Sequence, residues 1–406
     1  MPAAAVAAIT EQHEAHASAS LQSKLFGYMR RSGGASGAYV VNADTGTVVF
    51  RHRHTHPRIL ASNTKLFTVA TALARFGVDG RLHTDVYGKG TLSETGIYRG
   101  SVFLRGGGDP TFGSRRFTRR SYGGGATVEA LAEQLREVGI RRVTGRIYGD
   151  ETRFDTRRGG PESGFRTSVY VGPLSALAYN RGLATEGDRG FQSKPAAFAA
   201  AALDSAMERT GIRVGGKPGV KRLPRGAEQL ATVRSPPMER LAALVNKPSD
   251  NFFAEMLIKA LGMQASGKGT TSLGARLARR FAERIGGRPS RLADGSGLSR
   301  ADQASPYRVV RLLLAMRERS DEFPAFYRSL AIAGRDGTLS SRMRSGPARG
   351  RCRAKTGTLS NVSALSGYCR ARSGEVYAFS FIFNSIYPPS AKALEDGMAQ
   401  SIAAIR

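Results

Sequence analysis

Apolar positions along this chain follow two periods, and the alternation between them divides it into segments. Residues about 21 to 32 place Leu21, Leu25, Phe26 and Met29 at helical spacing and end at Gly33-Gly34, which predicts an opening helix. Gly37 to Val41 and Thr47 to Arg51 then read as two strands joined through Asp44-Thr45-Gly46, a turn-forming trio, so a hairpin is expected. Pro57 breaks the chain before a second helix, from about Ser62 to Phe76, with Leu66, Phe67, Val69, Ala70 and Leu73 apolar and Gly77 as its stop. Helical periodicity returns at about 237 to 262, 272 to 285 and 307 to 318. The chain closes with three β-like runs, about 351 to 357, 363 to 371 and 375 to 384, and a helix from about 389 to 405.

From about 84 to 235 the texture differs. Short β-like runs such as Val102-Phe103-Leu104 and Arg146-Ile147-Tyr148 alternate with loops rich in Gly and Arg, and one helix is expected from about Val128 to Val138. A helix and hairpin at one end of the chain, with three strands and a helix at the other, predict a single sheet built from both ends. The expected class is α/β (α+β), a central antiparallel sheet flanked by helices. Residues 1–83 and 236–406 would form one discontinuous domain, and residues 84–235 an inserted, mainly β part. At 406 residues the chain is long enough for two separate cores.

Composition narrows the classes. Hydrophobic residues at 41% and charged residues at 23% describe a chain that folds in water and is neither disordered nor a membrane protein. No run approaches the roughly 18 apolar residues that a membrane span needs. The formal charge of +29 would draw the chain toward polyanions such as anionic wall polymers, a membrane surface or nucleic acid. Yet 50 of the 61 basic residues are Arg, alongside abundant Ala and Gly, the bias a GC-rich coding sequence produces without selection for binding. With no compact Lys/Arg block and no nucleic-acid module, no specific nucleic acid partner is expected. The N-terminal Met1 to Ile9 is apolar but lacks a basic leader, and Ala15-His16-Ala17 and Ala17-Ser18-Ala19 resemble small-residue cleavage sites. It reads as a clipped or mis-started export signal, which implies a periplasmic or other extracytoplasmic, cell-wall location.

Three short motifs carry the candidate chemistry, each occurring once. Ser62-Asn63-Thr64-Lys65 is the SxxK of the chain, and on a first helical turn it puts the Lys65 amine beside the Ser62 hydroxyl. Alone it is weak, since about one such match arises by chance. Ser249-Asp250-Asn251 is the SxN, at a helix start where Ser and Asp also serve as ordinary caps. Lys355-Thr356-Gly357, followed by Thr358, is the KTG, in a strand facing the run 363 to 371. Their conjunction is what counts. A serine hydroxyl at neutral pH needs a base in hydrogen-bond reach and donors for the oxyanion it generates. Lys65 would serve as base to the nucleophile Ser62, while Ser249 beside Lys355 would relay the proton to a leaving amine. Lys355 and its threonines would hold a substrate carboxylate, and Asn251 an amide. Two lysines near one serine depress each other's pKa, which favours the neutral base.

At this point the sequence resembles the class C low-molecular-mass penicillin-binding proteins, the D-alanyl-D-alanine carboxypeptidase/endopeptidase family. The resemblance rests on Ala61 to Leu66, Gly106-Gly107-Gly108-Asp109-Pro110-Thr111, Leu174 to Leu177, Ser249-Asp250-Asn251, Asp294 to Arg300, Ala333 to Leu339 and Arg353 to Leu359, and covers about residue 38 to about 385. It implies a penicillin-binding/β-lactamase-like transpeptidase domain with mainly β insertions between SxxK and SxN. It also implies catalytic Ser62, Lys65 and Ser249, substrate-binding Asn251, Lys355, Thr356, Gly357 and Thr358, and an oxyanion hole at the backbone amides of Ser62 and Thr358. The partners it implies are peptidoglycan stem peptide as substrate and β-lactams as covalent inhibitors, with no metal and no cofactor. The alternatives are a β-lactamase or esterase on the same scaffold, for which no deacylating glutamate is assignable, and an inactive, basic wall-binding protein. The gap from Lys65 to Ser249 looks shorter than in the longest family members, so one inserted subdomain is expected to be reduced or missing.

Other residues carry weaker signals. His52, His54 and His56 alternate on one strand face, but no carboxylate or cysteine lies at ligand spacing, so an exposed polar face is expected. Glycines 106 to 108 lack the GK[ST] of a phosphate loop, and Asp294-Gly295-Ser296-Gly297 is expected to be a tight turn near the site. If the strands near 354 and 367 pair about a turn near 360, Cys352 and Cys369 face each other, and a disulfide bracing the KTG strand follows.

Overall fold

The computed structural model describes residues 19–185 and 190–406. The apolar N-terminal run and its cleavage-like sites lie, but for Ala19, outside the described residues. By backbone contacts the chain forms two compact units. One takes in the residues up to Thr71, Ala242–Asp250 and Ala278–Arg406; the other takes in Ala72–Leu241 and Asn251–Leu277. Relative to the expected boundaries at 83 and 236, this division assigns residues 72–83, 236–241 and 251–277 to the second unit.

The first unit is built on a six-stranded antiparallel sheet in the order Ala331–Ile332, Cys352–Leu359, Val362–Arg370, Val376–Asn384, Ser36–Asn42 and Val48–His52. N-terminal and C-terminal strands meet in the register Ser36↔Phe383 through Asn42↔Tyr377, so the two chain ends share one sheet. A helix at residues 19–30 and the helix Pro388–Ala403 contribute Leu21, Leu25, Met29, Leu394, Met398 and Ile402 to a core with Val40, Leu365, Phe379 and Phe381. The other face carries the helix Pro306–Arg317, whose Leu313 carbonyl accepts from Tyr368 Oη at 2.7 Å and whose Tyr307 packs edge-on to Tyr39. Cover on both faces explains why the central strands are buried along nearly every position instead of alternating.

Cys352 and Cys369 stand directly opposite in adjacent strands and are disulfide-bonded, both buried in that core. With a sequence separation of 17, the bridge removes chain entropy from the unfolded state worth about 3 kcal/mol. Replacing both cysteines by alanine is therefore expected to lower urea-unfolding stability by about that amount. An unchanged denaturation midpoint in the double variant would contradict this role.

The second unit holds a five-stranded mixed sheet in the order Arg213–Val220, Arg142–Asp150, Ile97–Gly106, His83–Leu92, Glu228–Arg234. The helices Val128–Glu137 and Pro195–Arg209 bury Leu131, Leu135, Leu203 and Met207 against Val102, Leu104, Val143 and Ile147. The helix Asn251–Ser266 also belongs here, buried from Phe252 to Gly262 with Lys259 ion-paired to Asp155. Among the described residues no helix is long and apolar enough to cross a membrane.

The helix start expected at the SxN motif is present. The periodic stretch at about 237 to 262 forms Met238–Asn246 and Asn251–Ser266, broken over 247–250. Pro248 lacks a backbone N–H and disfavours helical geometry at Lys247, and Ser249 adopts φ +62°. The break sets Ser249 free of any helix.

Candidate active site

The nucleophile's segment is fixed before its helix begins. Arg58–Ile59 pairs with Gln303–Ala304, and Leu60 N–H donates to the Asp302 carbonyl at 3.0 Å. Ala61 then takes φ +46°, a left-handed conformation that costs a non-glycine residue about 1 kcal/mol or more and is found where surrounding structure enforces it. A single 3₁₀ turn, Ala61–Asn63, leads into the helix Thr64–Phe76. Ser62 is half-buried at this turn, and Lys65 is completely buried. Lys65 Nζ lies 3.0 Å from Ser62 Oγ and donates to the Ser296 carbonyl at 2.6 Å. One turn further, Thr68 Oγ1 donates to the Gly295 carbonyl at 2.8 Å.

The expected tight turn at Asp294-Gly295-Ser296-Gly297 thus forms the wall against which the lysine rests. Gly297 has φ +84°, and a Cβ there would sit 1.8 Å from the Ala61 carbonyl oxygen, so only glycine lets the turn approach the nucleophile's backbone.

A second hydroxyl–amine pair comes from the SxN break and the KTG strand. Lys355 Nζ donates to Ser249 Oγ and to the Thr356 carbonyl, each at 2.8 Å. The strand is drawn against the nucleophile's segment: Asn63 Nδ2 donates to the Lys355 carbonyl at 3.3 Å, and a Cβ on Gly357 would come within 2.9 Å of the Leu60 carbonyl oxygen. Thr356 Oγ1 donates to Thr338 Oγ1 at 2.7 Å. Thr338 in turn gives its N–H to the Lys247 carbonyl at 2.9 Å, and Lys247 pairs with Asp336. These contacts strap the Ser249 break to the 336–338 turn. Thr358 is exposed, opposite Ser363 in the strand register.

Burial, and then the positive charge of Lys65, hold the Lys355 ammonium well below the ordinary lysine range. Lys65 and Lys355 thus disfavour a doubly charged pair, and the shift falls on Lys355.

Seven of the eight expected site residues, Ser62, Lys65, Ser249, Lys355, Thr356, Gly357 and Thr358, lie in the first unit. Asn251 opens the helix that belongs to the second unit, where its amide donates to the Tyr170 carbonyl at 3.1 Å. Sequence reasoning passed over the Ser296 carbonyl, Asp302 and Thr338. The first acts through a backbone atom, which carries no sequence signature, and the other two through partners distant in the chain. His54 stacks on Tyr39 with ring centroids 5.0 Å apart, and His52 packs edge-on to Phe26. Among the described residues no group of three or more His, Cys, Asp or Glu side chains could hold a metal ion.

Comparison with known proteins identifies the family and the fold. The D-Ala-D-Ala carboxypeptidase 3 (S13) family matches residues 18–187 and 189–405. A D-alanyl-D-alanine carboxypeptidase of Actinomadura sp. (strain R39) is 28% identical over 91% of this chain and 81% of its own length. The carboxypeptidase DacB of Mycolicibacterium smegmatis is 31% identical over 88% of this chain and 78% of its own. Among solved structures, penicillin binding protein 4 (dacB) from Haemophilus influenzae superposes with TM-score 0.78 at 20% identity, covering 92% of this chain and 97% of that one. Bd3459, a predatory peptidoglycan endopeptidase from Bdellovibrio bacteriovorus, superposes with TM-score 0.57 at 18% identity, covering 87% of each chain. Fold, motif order and family match coincide, and the chain belongs to the D-Ala-D-Ala carboxypeptidase 3 (S13) family of peptidases, the class C low-molecular-mass penicillin-binding proteins.

Proposed function

We propose that this protein is a serine D-alanyl-D-alanine carboxypeptidase that removes terminal D-alanine from peptidoglycan stem peptides through an acyl-enzyme on Ser62. The observation that carries the reading is Lys65 Nζ at 3.0 Å from Ser62 Oγ, with a second hydroxyl–amine pair, Ser249 and Lys355, in the same unit. Neutral Lys65 takes the Ser62 proton as Oγ attacks the carbonyl of the scissile bond. Backbone N–H groups of Ser62 and Thr358 receive the oxyanion, and Ser249 passes a proton to the leaving D-alanine amine. Lys355, Thr356 and Thr358 bind the terminal carboxylate around Gly357, Asn251 holds the substrate amide, and water then frees Ser62.

β-Lactams acylate the same hydroxyl; the Haemophilus protein was solved complexed with a β-lactam, which supports this. Cleavage of peptide cross-links is a second activity of the same site, supported by the likeness in fold to the endopeptidase Bd3459. The protein acts outside the cytoplasm, where this substrate lies, and residues 84–235 are a domain inserted between the nucleophile and the SxN motif. The net charge of +29 adds loose attraction to anionic wall polymers or a membrane surface.

The test pairs two substrates. A peptide ending in D-alanyl-D-alanine is expected to release free D-alanine, read by chromatography. Penicillin is expected to leave one adduct, found by mass spectrometry on the peptide carrying Ser62 and lost slowly. Rapid penicillin turnover with no D-alanine release would replace this reading by a β-lactamase, and no adduct at all by an inactive wall-binding protein.

A further inference from the structure

The turn that holds the catalytic lysine is itself organised by two buried acids. Asp294 Oδ1 accepts the N–H groups of Ser296 at 3.0 Å and Gly297 at 2.6 Å, and Oδ2 accepts that of Ser299 at 2.8 Å. Asp302 closes the loop from its far end. Its Oδ1 accepts from Ala293 N–H at 2.5 Å and Asp294 N–H at 3.4 Å, while its carbonyl takes the Leu60 N–H two residues before the nucleophile. Asp294, Ser296 and Asp302 are all completely buried.

Asp302 Oδ2 is buried without an N–H or a neutral hydroxyl to satisfy it, and the charged group facing it is the Asp294 carboxyl. On the paired strand, Arg58 gives its guanidinium to the carbonyls of Ala35, Ser36, Arg53 and His56. Across the turn the Lys65 amine binds the Ser296 carbonyl. Two buried carboxylates without a cation between them do not both ionise. Burial first, and Asp294 second, push the Asp302 carboxyl well above the usual carboxylate range. Asp302 thus holds its proton more tightly than an exposed carboxyl does, and shares it with Asp294.

We propose that the Asp294–Asp302 pair is the positioning element for the catalytic base: the turn it locks holds the Ser296 carbonyl against Lys65 Nζ and so aims the amine at Ser62. In the neutral amine, one N–H stays on Ser296 and the lone pair accepts the Ser62 O–H. Without the carbonyl the butylamine side chain loses one of the contacts that direct it, and the proton-transfer geometry is loosened. The proposal rests on Ser62 and Lys65 acting as nucleophile and base.

The pH dependence has a definite sign. Because Asp302's pKa is raised on folding, its shared proton stabilises the turn fully below the ordinary carboxylate range, and that contribution is lost as pH rises through the raised value. Two facing carboxylates then repel, the turn opens and acylation falls. Asp302→Asn keeps the acceptor for Ala293 and a permanent donor for Asp294, and it does not ionise.

Acylation rates by fluorescent penicillin should be measured against pH for the intact wild type, Ser62→Ala, Asp302→Asn and Asp302→Ala. Asp302→Asn is expected within about twofold of wild type at pH 7, with the midpoint of its alkaline decline moved upward. Asp302→Ala is expected to be slower by about tenfold or more. Labelling that persists in Ser62→Ala overturns the nucleophile assignment and with it the role given to Lys65. Silent Ser62→Ala together with an unmoved alkaline midpoint in Asp302→Asn leaves that assignment standing and overturns the acid pair. If circular dichroism shows Asp302→Ala unfolded, the Asp302→Asn profile alone decides.

Discussion

Ser62→Ala is expected to abolish covalent labelling by fluorescent penicillin and to lower D-alanine release by about four to six orders of magnitude. The loss is this large because the hydroxyl forms the covalent bond itself, and no neighbouring group replaces it. Ser249 is already engaged as acceptor to Lys355 Nζ at 2.8 Å. Ser62 is half-buried, and alanine is also the residue that precedes it, so the turn into the helix Thr64–Phe76 survives the change. The thermal midpoint is accordingly expected to stay within a few degrees of wild type. Quantitative gel labelling with a calorimetric control checks both halves, and retained labelling would move the nucleophile elsewhere.

The second large effect concerns the base. Lys65→Met fills nearly the same volume without an amine, and acylation by penicillin is expected to fall by about 10²- to 10⁴-fold, the usual contribution of a positioned general base. This variant also reads out the electrostatic coupling of the two lysines. Lys355 titrates below the ordinary lysine range through burial and then through the charge of Lys65. In the window between its lowered folded pKa and the ordinary value, the unfolded chain binds a proton that the folded chain does not. Wild-type stability therefore rises with pH across that window. With Lys65 gone the Lys355 shift is smaller, and the rise of thermal midpoint with pH is expected to be shallower. Calorimetry at a series of pH values tests this; parallel slopes in the two proteins would mean that the amines do not sense each other.

Much of the architecture was legible in the sequence, for a local reason. The opening helix, the hairpin ending at His52, the helix after Ser62 and the three closing strands each carry their own periodicity, and the structure places them within a few residues of where the spacing does. The disulfide was legible because strand pairing converts a sum of residue numbers into a contact, which the register Cys352↔Cys369 bears out. In the stretch at about 237 to 262 the SxN motif, a helix start, carried what periodicity did not. The apolar spacing there runs on through Pro248 and Ser249, but periodicity reports which face is buried and not whether the backbone is continuous.

By itself the sequence determined the elements, their joining into one sheet from both chain ends, and the residue types of an acylating site. The elements and residue types depend on neighbours along the chain, and the shared sheet on matching strand runs at its two ends. Only the tertiary structure decided that Ser62 with Lys65 and Ser249 with Lys355 stand in one compact unit, that Ala61 and Ser249 hold left-handed backbone, and that a backbone carbonyl from residue 296 steadies the lysine. These depend on groups up to 292 positions apart, as Asn63 and Lys355 are. Burial then sets the charge states. Water would ionise Asp302 and both lysines alike; its exclusion from the fold is what keeps the proton on the acid and draws it away from the amine.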